Sequence, residues 1–196
     1  MENPRTPEMR TLRTIPTAFE TREEDGARHI SGYFAVFNSN YEIDSMMSES
    51  IAPGAFTEAL GGDVRALTNH DSTLVLGRNT AGTLQLREDS HGLWGDILIN
   101  PKDGDAVNLY ERVKRGDVSQ CSFGFQIGDE NVEWHDDGSV HWTITRVDPL
   151  YEVSVCTFPA YSETGVAARS AERNAHRSRE TAAWKEKMKG VLSKWH

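Results

Sequence analysis

Residues 118 to 127 read Val-Ser-Gln-Cys-Ser-Phe-Gly-Phe-Gln-Ile, an alternation of apolar and polar side chains that is typical of a β-strand. Successive side chains of a strand point to opposite faces, so Cys121 and Phe123 share one face and Ser122 lies on the other. We expect the apolar face to enter the core and Gly124 to clear space beside Ser122. A hydroxyl placed in this way is either a nucleophile open to substrate or a plain strand serine facing solvent.

The sequence on both sides of this segment is also β-patterned. Short runs of alternating or β-branched residues are bounded by turn signals such as Ala81-Gly82. They predict a hairpin over 17–37 and strands over 64–68, 74–78, 83–88, 92–99, 118–127, 140–147 and 150–158. Together these elements predict a mainly β fold of the α+β class, arranged as a compact antiparallel β-barrel.

Few helices are predicted in this body. Apolar residues recur at helical spacing over 103–115, and Gly116 follows as a stop signal. A short helix is predicted over 53–60, ending at a Gly-Gly pair. The polar stretch 38–50 predicts a flexible connection, and the charged stretch 129–139 predicts the tip of a hairpin.

Composition limits the class of protein. The 196 residues are 37% hydrophobic and 26% charged, which is typical of one soluble globular domain with a real core. The net charge of −9 argues against general nucleic-acid binding. No apolar run approaches the roughly 18 residues of a membrane span, and the polar first residues contain no signal peptide. Cys121 and Cys156 lie in apolar strands, so we expect reduced core thiols and a cytoplasmic compartment.

The charge distribution divides the chain into three parts. We expect a loose N-terminus over 1–14, a catalytic body over 15–166 and a basic tail over 167–196. From Arg169 onward there are eight Lys or Arg residues and only three acids. Because Trp184 and Met188 recur among these lysines, the tail is predicted to be an amphipathic helix on a Ser/Arg-rich linker. It is either a docking element or a solvated helix without a partner.

A histidine and an acid complete a catalytic constellation with Ser122. His70 follows a predicted strand at a strand–loop junction, where catalytic groups often lie, although a surface-loop histidine fits the same pattern. Glu152 lies in an apolar strand, where a carboxylate is unfavourable unless it is paired or points to water at a sheet edge. Asp148 is a rival acid, although Asp148-Pro149 is typical of a turn. A base, a nucleophile and an orienting acid are what serine-type acyl transfer requires.

Other common chemistries lack their motifs. The sequence contains no His-Glu-x-x-His or Cys-x-x-Cys metal motif and no glycine-rich phosphate loop. It also lacks the Gly-x-Ser-x-Gly motif of α/β-hydrolases. We therefore expect no cofactor and no metal ion.

Several segments taken in order resemble the tailed-phage prohead (capsid maturation) protease family over about residues 15 to 170. The resemblance implies a β-barrel of about seven strands with flanking helices, because this family is considered related to assemblin, the herpesvirus maturation protease. It also implies that His70 is the base and Ser122 the nucleophile. Assemblin uses a second histidine where this chain offers Glu152. The segments are Ile51-Ala52-Pro53-Gly54-Ala55-Phe56, Asn69-His70-Asp71, Leu76-Gly77-Arg78, residues 115–125 and residues 151–161.

The resemblance implies a serine endopeptidase of phage capsid maturation. Its expected substrates are the scaffolding domain or N-terminal arm of the major capsid protein and the protease itself, inside the prohead in the host cytoplasm. Capsid protein or scaffold and a second copy in a homodimer are the expected partners, with no nucleic acid and no membrane. The alternatives are a non-enzymatic capsid assembly or scaffolding protein with a protease-like barrel, and a hydrolase of small esters. A His70–Ser122 hydrogen bond would separate enzyme from scaffold, and oxyanion donors are expected beside Ser122 or within 158–164.

Overall fold

The structure, a computed structural model, describes residues 11–16, 19–158 and 163–192. The chain divides into two compact units, Met1–Ser162 and Glu163–His196. Helix α1 (Gly104–Arg115) belongs to the first unit, and helix α2 (Glu163–Leu192) to the second. The strands are β1 (Thr11–Pro16), β2 (Glu20–Glu24), β3 (Ala27–Val36), β4 (Tyr41–Asp44), β5 (Met47–Ile51), β6 (Arg65–Thr68), β7 (Asp71–Arg78), β8 (Leu84–Glu88), β9 (Gly92–Ile99), β10 (Gln120–Trp134) and β11 (Val140–Cys156).

The strands form two sheets, which confirms the mainly β prediction. Seven strands follow the order β1-β10-β11-β5-β4, with β6 paired to β11 and β7 paired to β6. Four strands follow the order β2-β3-β9-β8. Most pairs are antiparallel, but β11 runs parallel to both β5 and β6. In the described ranges these sheets do not close into one barrel, so the seven-stranded barrel stays a prediction.

The core contains apolar side chains from both sheets and from α1. Phe123 and Phe125 on β10 stack with ring centroids 4.8 Å apart, and Phe56 meets Phe123 edge-on at 5.5 Å. These rings occupy the face of β10 predicted from the alternation of residues 118–127. The opposite face of β10 is therefore the one that carries Ser122.

Helix α1 confirms the prediction over 103–115 and shows why it starts and stops there. The Asp103 carboxylate accepts hydrogen bonds from the backbone N–H groups of Asp105 (3.0 Å) and Ala106 (3.2 Å), which is N-capping. Gly116 follows with φ 88°, the left-handed conformation that ends helices without strain in glycine. The helix buries Leu109 and Tyr110 against the first unit's core.

The N-cap supports a stability prediction. Asp103→Ala leaves two N–H groups of the first helical turn without their acceptor, so the free energy of unfolding should fall by about 1 kcal/mol. Urea denaturation followed by circular dichroism measures the change. Lys102→Ala, at an exposed neighbouring position, is the matched control and should shift it by less than about 0.5 kcal/mol. Equal stability of the two variants would contradict the capping role.

Three local predictions were wrong. Residues 53–60 form turns and a short 3₁₀ helix at Ala59–Gly61 rather than an α-helix. Residues 38–50 contain β4 and most of β5 rather than a flexible connection. Strand β1 starts at Thr11, inside the segment expected to be loose, because it pairs with β10. Two further expectations, that residues 1–10 are loose and that Pro159 ends the regular body, concern residues outside the described ranges.

The long hairpin of β10 and β11 also differs from its prediction. The charged stretch 129–139 was predicted to be the tip of a hairpin, and the turn does lie within it, but β10 continues to Trp134 and the tip is shorter than predicted. Asp148-Pro149 was expected to separate two strands, but β11 runs through it as a single strand of 17 residues. The pairing of β10 with β11 shifts register several times between Gly124 and Glu130 of β10. These β-bulges lie opposite Asp148-Pro149, which was interpreted as a turn.

Helix α2 confirms a helical tail but not its amphipathic character. Its side chains from Glu172 to Met188 are mostly exposed, and its apolar residues do not form one stripe. Trp184 is 61% exposed. Trp195 and the other residues after Leu192 lie outside the described ranges.

Candidate active site

A two-residue turn between β6 and β7 presents the candidate base. Asn69 and His70 both have positive φ angles, 50° and 62°, the backbone pattern of a type I′ hairpin turn. The Asn69 side-chain oxygen accepts the backbone N–H of Thr157 at 2.8 Å, and the Asn69 N–H donates to the Val155 carbonyl at 3.0 Å. These bonds attach the turn to the end of β11. A histidine in a conformation that favours glycine or asparagine indicates local strain at a functional position.

The candidate base contacts the candidate acid. His70 Nδ1 lies 2.7 Å from Glu152 Oε1, and the Glu152 side chain is only 2% exposed. An ionised carboxylate only accepts hydrogen bonds, so this contact favours the tautomer with the proton on Nδ1, and Nε2 is the nitrogen that faces Cys156. Ser154 contacts both residues of the pair. Its hydroxyl donates to Glu152 Oε2 at 2.6 Å and accepts the backbone N–H of His70 at 3.2 Å. The arrangement can hold one imidazole tautomer and stabilise the imidazolium.

The basic nitrogen faces a thiol and a shallow cleft. Cys156 Sγ lies 3.8 Å from His70 Nε2. Both line a cleft of about 380 Å³ together with Asn69, Thr157 and the 79% exposed Phe158. Burial, and secondarily the Glu152 charge, raises the pKa of the Cys156 thiol to about 12. The thiol therefore stays protonated at neutral pH and is a poor nucleophile.

The raised pKa of Cys156 and the burial of both cysteines predict slow alkylation of the native protein. At pH 8 a thiol with a pKa of about 12 is ionised to a fraction on the order of 10⁻⁴, and both Cys121 and Cys156 are buried. Iodoacetamide should therefore leave the native protein unmodified over an hour and label both cysteines in urea. Mass spectrometry of tryptic peptides gives the readout. Rapid native labelling of Cys156 would contradict a protonated thiol and make it a rival nucleophile.

The candidate nucleophile lies on the same sheet face but is engaged elsewhere. Ser122 faces Ser154 across the β10–β11 ladder, which places opposed side chains on one face about 4.5–5.5 Å apart at Cβ. Its hydroxyl donates to the Arg13 carbonyl at 2.8 Å. No hydrogen bond joins it to His70 in the described part of the chain. Ser122 is also 0% exposed, so the expectation that it is open to substrate was wrong.

The rival acid is remote from the base. Asp148 is 58% exposed and pairs with Arg146 at 2.9 Å. Glu152, rather than Asp148, is the carboxylate against His70. The structure thus brings the base and one acid together and leaves the serine one strand away.

The sequence of the chain is similar to those of known proteins. The family model of the caudovirus prohead serine proteases matches residues 17–179. The chain belongs to this family. It is 30% identical to the prohead protease of Enterobacteria phage HK97 over 165 residues, which cover 82% of this chain and 68% of that protein. The bacteriophage T4 capsid assembly protease has a similar structure, with a TM-score of 0.49 and 11% identity, covering 75% of this chain and 96% of that one.

Membership in the prohead protease family makes this chain a protease of phage capsid maturation and decides against a non-enzymatic scaffold. Peptide hydrolysis needs oxyanion donors, but residues 159–162 of the expected stretch lie outside the described ranges. Among the described side chains, no group of His, Cys, Asp or Glu is arranged to hold a metal ion. No helix in the described ranges is long and apolar enough to span a bilayer.

Ser154 contacts both candidate residues and was not singled out as a site residue from the sequence. Its hydroxyl contacts Glu152 and the backbone of His70. It lies two positions from Glu152 on the same strand face, so the strand period contained a signal for it. Asn69, quoted with His70 from the sequence, attaches the turn to β11 through its bonds to Thr157 and Val155.

Proposed function

We propose that the chain is a serine endopeptidase in which His70 is the base, Ser122 the nucleophile and Glu152 the orienting acid. Its substrates are the scaffolding domain or N-terminal arm of the major capsid protein and the protease itself, inside the prohead in the host cytoplasm. The observation that supports the proposal is the partly buried 2.7 Å contact between His70 Nδ1 and Glu152. Glu152 and Ser154, which both contact His70, lie on the sheet face that also carries Ser122.

The chemistry follows the serine-protease sequence of steps. The Ser122 oxygen attacks the scissile carbonyl carbon while its proton passes to His70 Nε2, and Glu152 stabilises the resulting imidazolium. The C–N bond breaks, and the leaving amine takes the proton from Nε2. Water then attacks the acyl-enzyme with His70 again as base, which releases the acid and restores the Ser122 hydroxyl.

The structure corresponds to a resting arrangement of this site. The Ser122 hydroxyl is hydrogen-bonded to the Arg13 carbonyl, and Nε2 faces Cys156. Catalysis therefore requires the Ser122 hydroxyl to leave the Arg13 carbonyl and to donate its hydrogen bond to His70 Nε2 instead. Rotation of a serine side chain between staggered positions is a small movement, and apo sites often tighten only when substrate binds.

Incubation with the cognate capsid protein tests the proposal. The wild-type chain should convert the capsid protein into discrete fragments, identified by intact-mass spectrometry, and Ser122→Ala should leave it whole. A fluorophosphonate probe should label Ser122 in the active preparation and should not label the alanine variant. Cleavage by Ser122→Ala at the wild-type rate would eliminate this nucleophile.

Self-cleavage and dimer formation extend the same proposal. Ser122→Ala should be cut when it is mixed with wild-type enzyme, and the initial rate should rise with the enzyme concentration. Sedimentation velocity over a dilution series should show a homodimer that dissociates. Ser122→Ala that stays intact beside active wild-type enzyme would restrict self-cleavage to the chain's own segments.

The basic tail is proposed to deliver the protease to its partner. Lys185, Lys187 and Glu186 lie on α2, where side chains from 172 to 188 are largely exposed. Replacing both lysines by glutamine should weaken binding to assembling capsid protein, most visibly at low salt. Glu186→Gln is the matched control and should preserve binding. Unchanged packaging of the lysine variant would refute delivery by charge.

A further inference from the structure

Ser154 lies at the centre of the proposed catalytic group, although the proposed mechanism gives it no step. It is a residue of β11, two positions after Glu152 on the same strand face, and it is 0% exposed. In the ladder of β10 and β11 it is directly opposite Ser122. Its hydroxyl also contacts Glu152 and the backbone of His70. One buried side chain is thus next to all three residues of the proposed triad.

The direction of both hydrogen bonds at this hydroxyl is determined by its partners. A backbone N–H can only donate, so the Ser154 oxygen accepts the His70 N–H at 3.2 Å. An ionised carboxylate can only accept, so the Ser154 hydroxyl donates to Glu152 Oε2 at 2.6 Å. The other carboxylate oxygen, Oε1, then points to His70 Nδ1 at 2.7 Å. The hydroxyl therefore orients the acid through one bond and holds the backbone of the base through the other.

The bond to the base acts on a backbone conformation that most residues avoid. His70 has a φ of 62°, in the left-handed region, where a residue with a Cβ atom is strained. Such a conformation persists only when surrounding contacts hold it. The hydrogen bond from the His70 N–H to Ser154 is one of these contacts, and the bonds from Asn69 to the end of β11 are others. Because the same hydroxyl also holds Glu152, the positions of the imidazole and the carboxylate depend on one side chain.

We propose that Ser154 is a positioning residue of this site, whose hydroxyl sets the Glu152 carboxylate against His70 Nδ1 and holds the His70 turn where that contact can form. The inference rests on the proposed function and adds to it a residue that touches neither the substrate nor the transferred proton. A displacement of about 1 Å at a reacting group can cost on the order of 10²-fold in rate. Loss of the hydroxyl should therefore lower kcat and leave KM nearly unchanged, because substrate binding does not use it.

Threonine and valine at this position isolate the hydroxyl. Ser154→Thr keeps the hydroxyl and adds a methyl group, whereas Ser154→Val has nearly the same shape and no hydroxyl. The kcat of Ser154→Val should be about 10- to 100-fold below that of Ser154→Thr, with KM values within about twofold of each other. Steady-state cleavage of the cognate capsid protein gives both constants. Equal kcat values in the two variants would overturn the inference.

A second pair of variants keeps the test decisive if the added methyl group is not tolerated at this buried position. Ser154→Ala removes the hydroxyl without adding volume. Ser31→Ala is the matched control, because Ser31 is also buried, at 4% exposed, but lies on β3 of the four-stranded sheet. The kcat should fall about 10- to 100-fold in Ser154→Ala and stay within about twofold of wild type in the control. A wild-type kcat in Ser154→Ala would refute the positioning role.

Nuclear magnetic resonance measures the positioning without catalysis. Two-bond ¹H–¹⁵N spectra show which imidazole nitrogen carries the proton, and the His70 signals are assigned by their loss in His70→Ala. Wild type and Ser154→Thr should show the tautomer with the proton on Nδ1, and Ser154→Ala should show a larger fraction with the proton on Nε2. The same tautomer in Ser154→Ala as in wild type would contradict the inference. A tautomer that depends on the Ser154 hydroxyl, in a chain that cleaves no capsid protein, would instead refute the proposed function and retain the positioning role.

Discussion

Ser122→Ala and His70→Ala should each reduce kcat/KM for capsid-protein cleavage on the order of 10⁴-fold or more. In the proposed mechanism the nucleophile and the base act in one proton transfer, so removing either leaves only what substrate binding and backbone donors contribute. The double variant should therefore be little worse than either single variant. Cleavage is measured by quantifying fragments under conditions of excess substrate.

Matched controls separate chemistry from folding. Ser119→Ala and His135→Ala change the same residue types at exposed positions and should keep activity within about twofold. Circular dichroism and thermal unfolding should be close to wild type for Ser122→Ala. If the two single losses were to multiply in the double variant, His70 and Ser122 would act independently and the dyad would be wrong.

Glu152→Gln should lower kcat by about 10²- to 10³-fold with little change in KM. The glutamine side chain can donate to Nδ1 through its NH₂ group, which favours the tautomer that carries the proton on Nε2 and leaves no basic nitrogen for Ser122. The imidazolium that forms at the partly buried His70 also loses its counter-charge.

Asp148→Asn is the matched control for this change. It also replaces a β11 carboxylate by its amide, but at a 58% exposed position paired with Arg146. Its activity should stay within about twofold of wild type. An active Glu152→Gln combined with an inactive Asp148→Asn would mean that Asp148 is the orienting acid.

Local patterns predicted the parts of the fold that depend on local chemistry. The alternation over 118–127 places Phe123 in the core and Ser122 on the opposite face, because a strand has a period of two. Helix α1 was predicted from its apolar spacing and its terminal glycine, which are properties of neighbouring residues, whereas its Asp103 N-cap was not predicted. His70 and Glu152 were grouped as candidate base and acid by their chemistry, but no local pattern contains the contact between them, since 82 positions separate them.

The features of the fold that the sequence did not predict depend on contacts between residues far apart in the chain. Strand β5 lies in a polar stretch, and its buried Glu49 is paired there with Arg13, 36 positions earlier. No hydropathy pattern contains that information. The acceptor of the Ser122 hydroxyl is likewise a backbone carbonyl 109 positions away, so its resting arrangement could not be predicted. The tip of the β10–β11 hairpin was predicted to be too long because the exposed ends of its strands are rich in charge.

The position of β11 has a consequence for when the site can exist. It is the last of the described strands, and it pairs with β10, β5 and β6 at once. Translation therefore delivers Ser122 and His70 before the strand that carries Glu152 and Ser154 leaves the ribosome. Pairings across such long separations form late, since chain entropy must be overcome first. A chain that ends before β11 lacks the carboxylate that contacts His70, so in the proposed mechanism it has no oriented base.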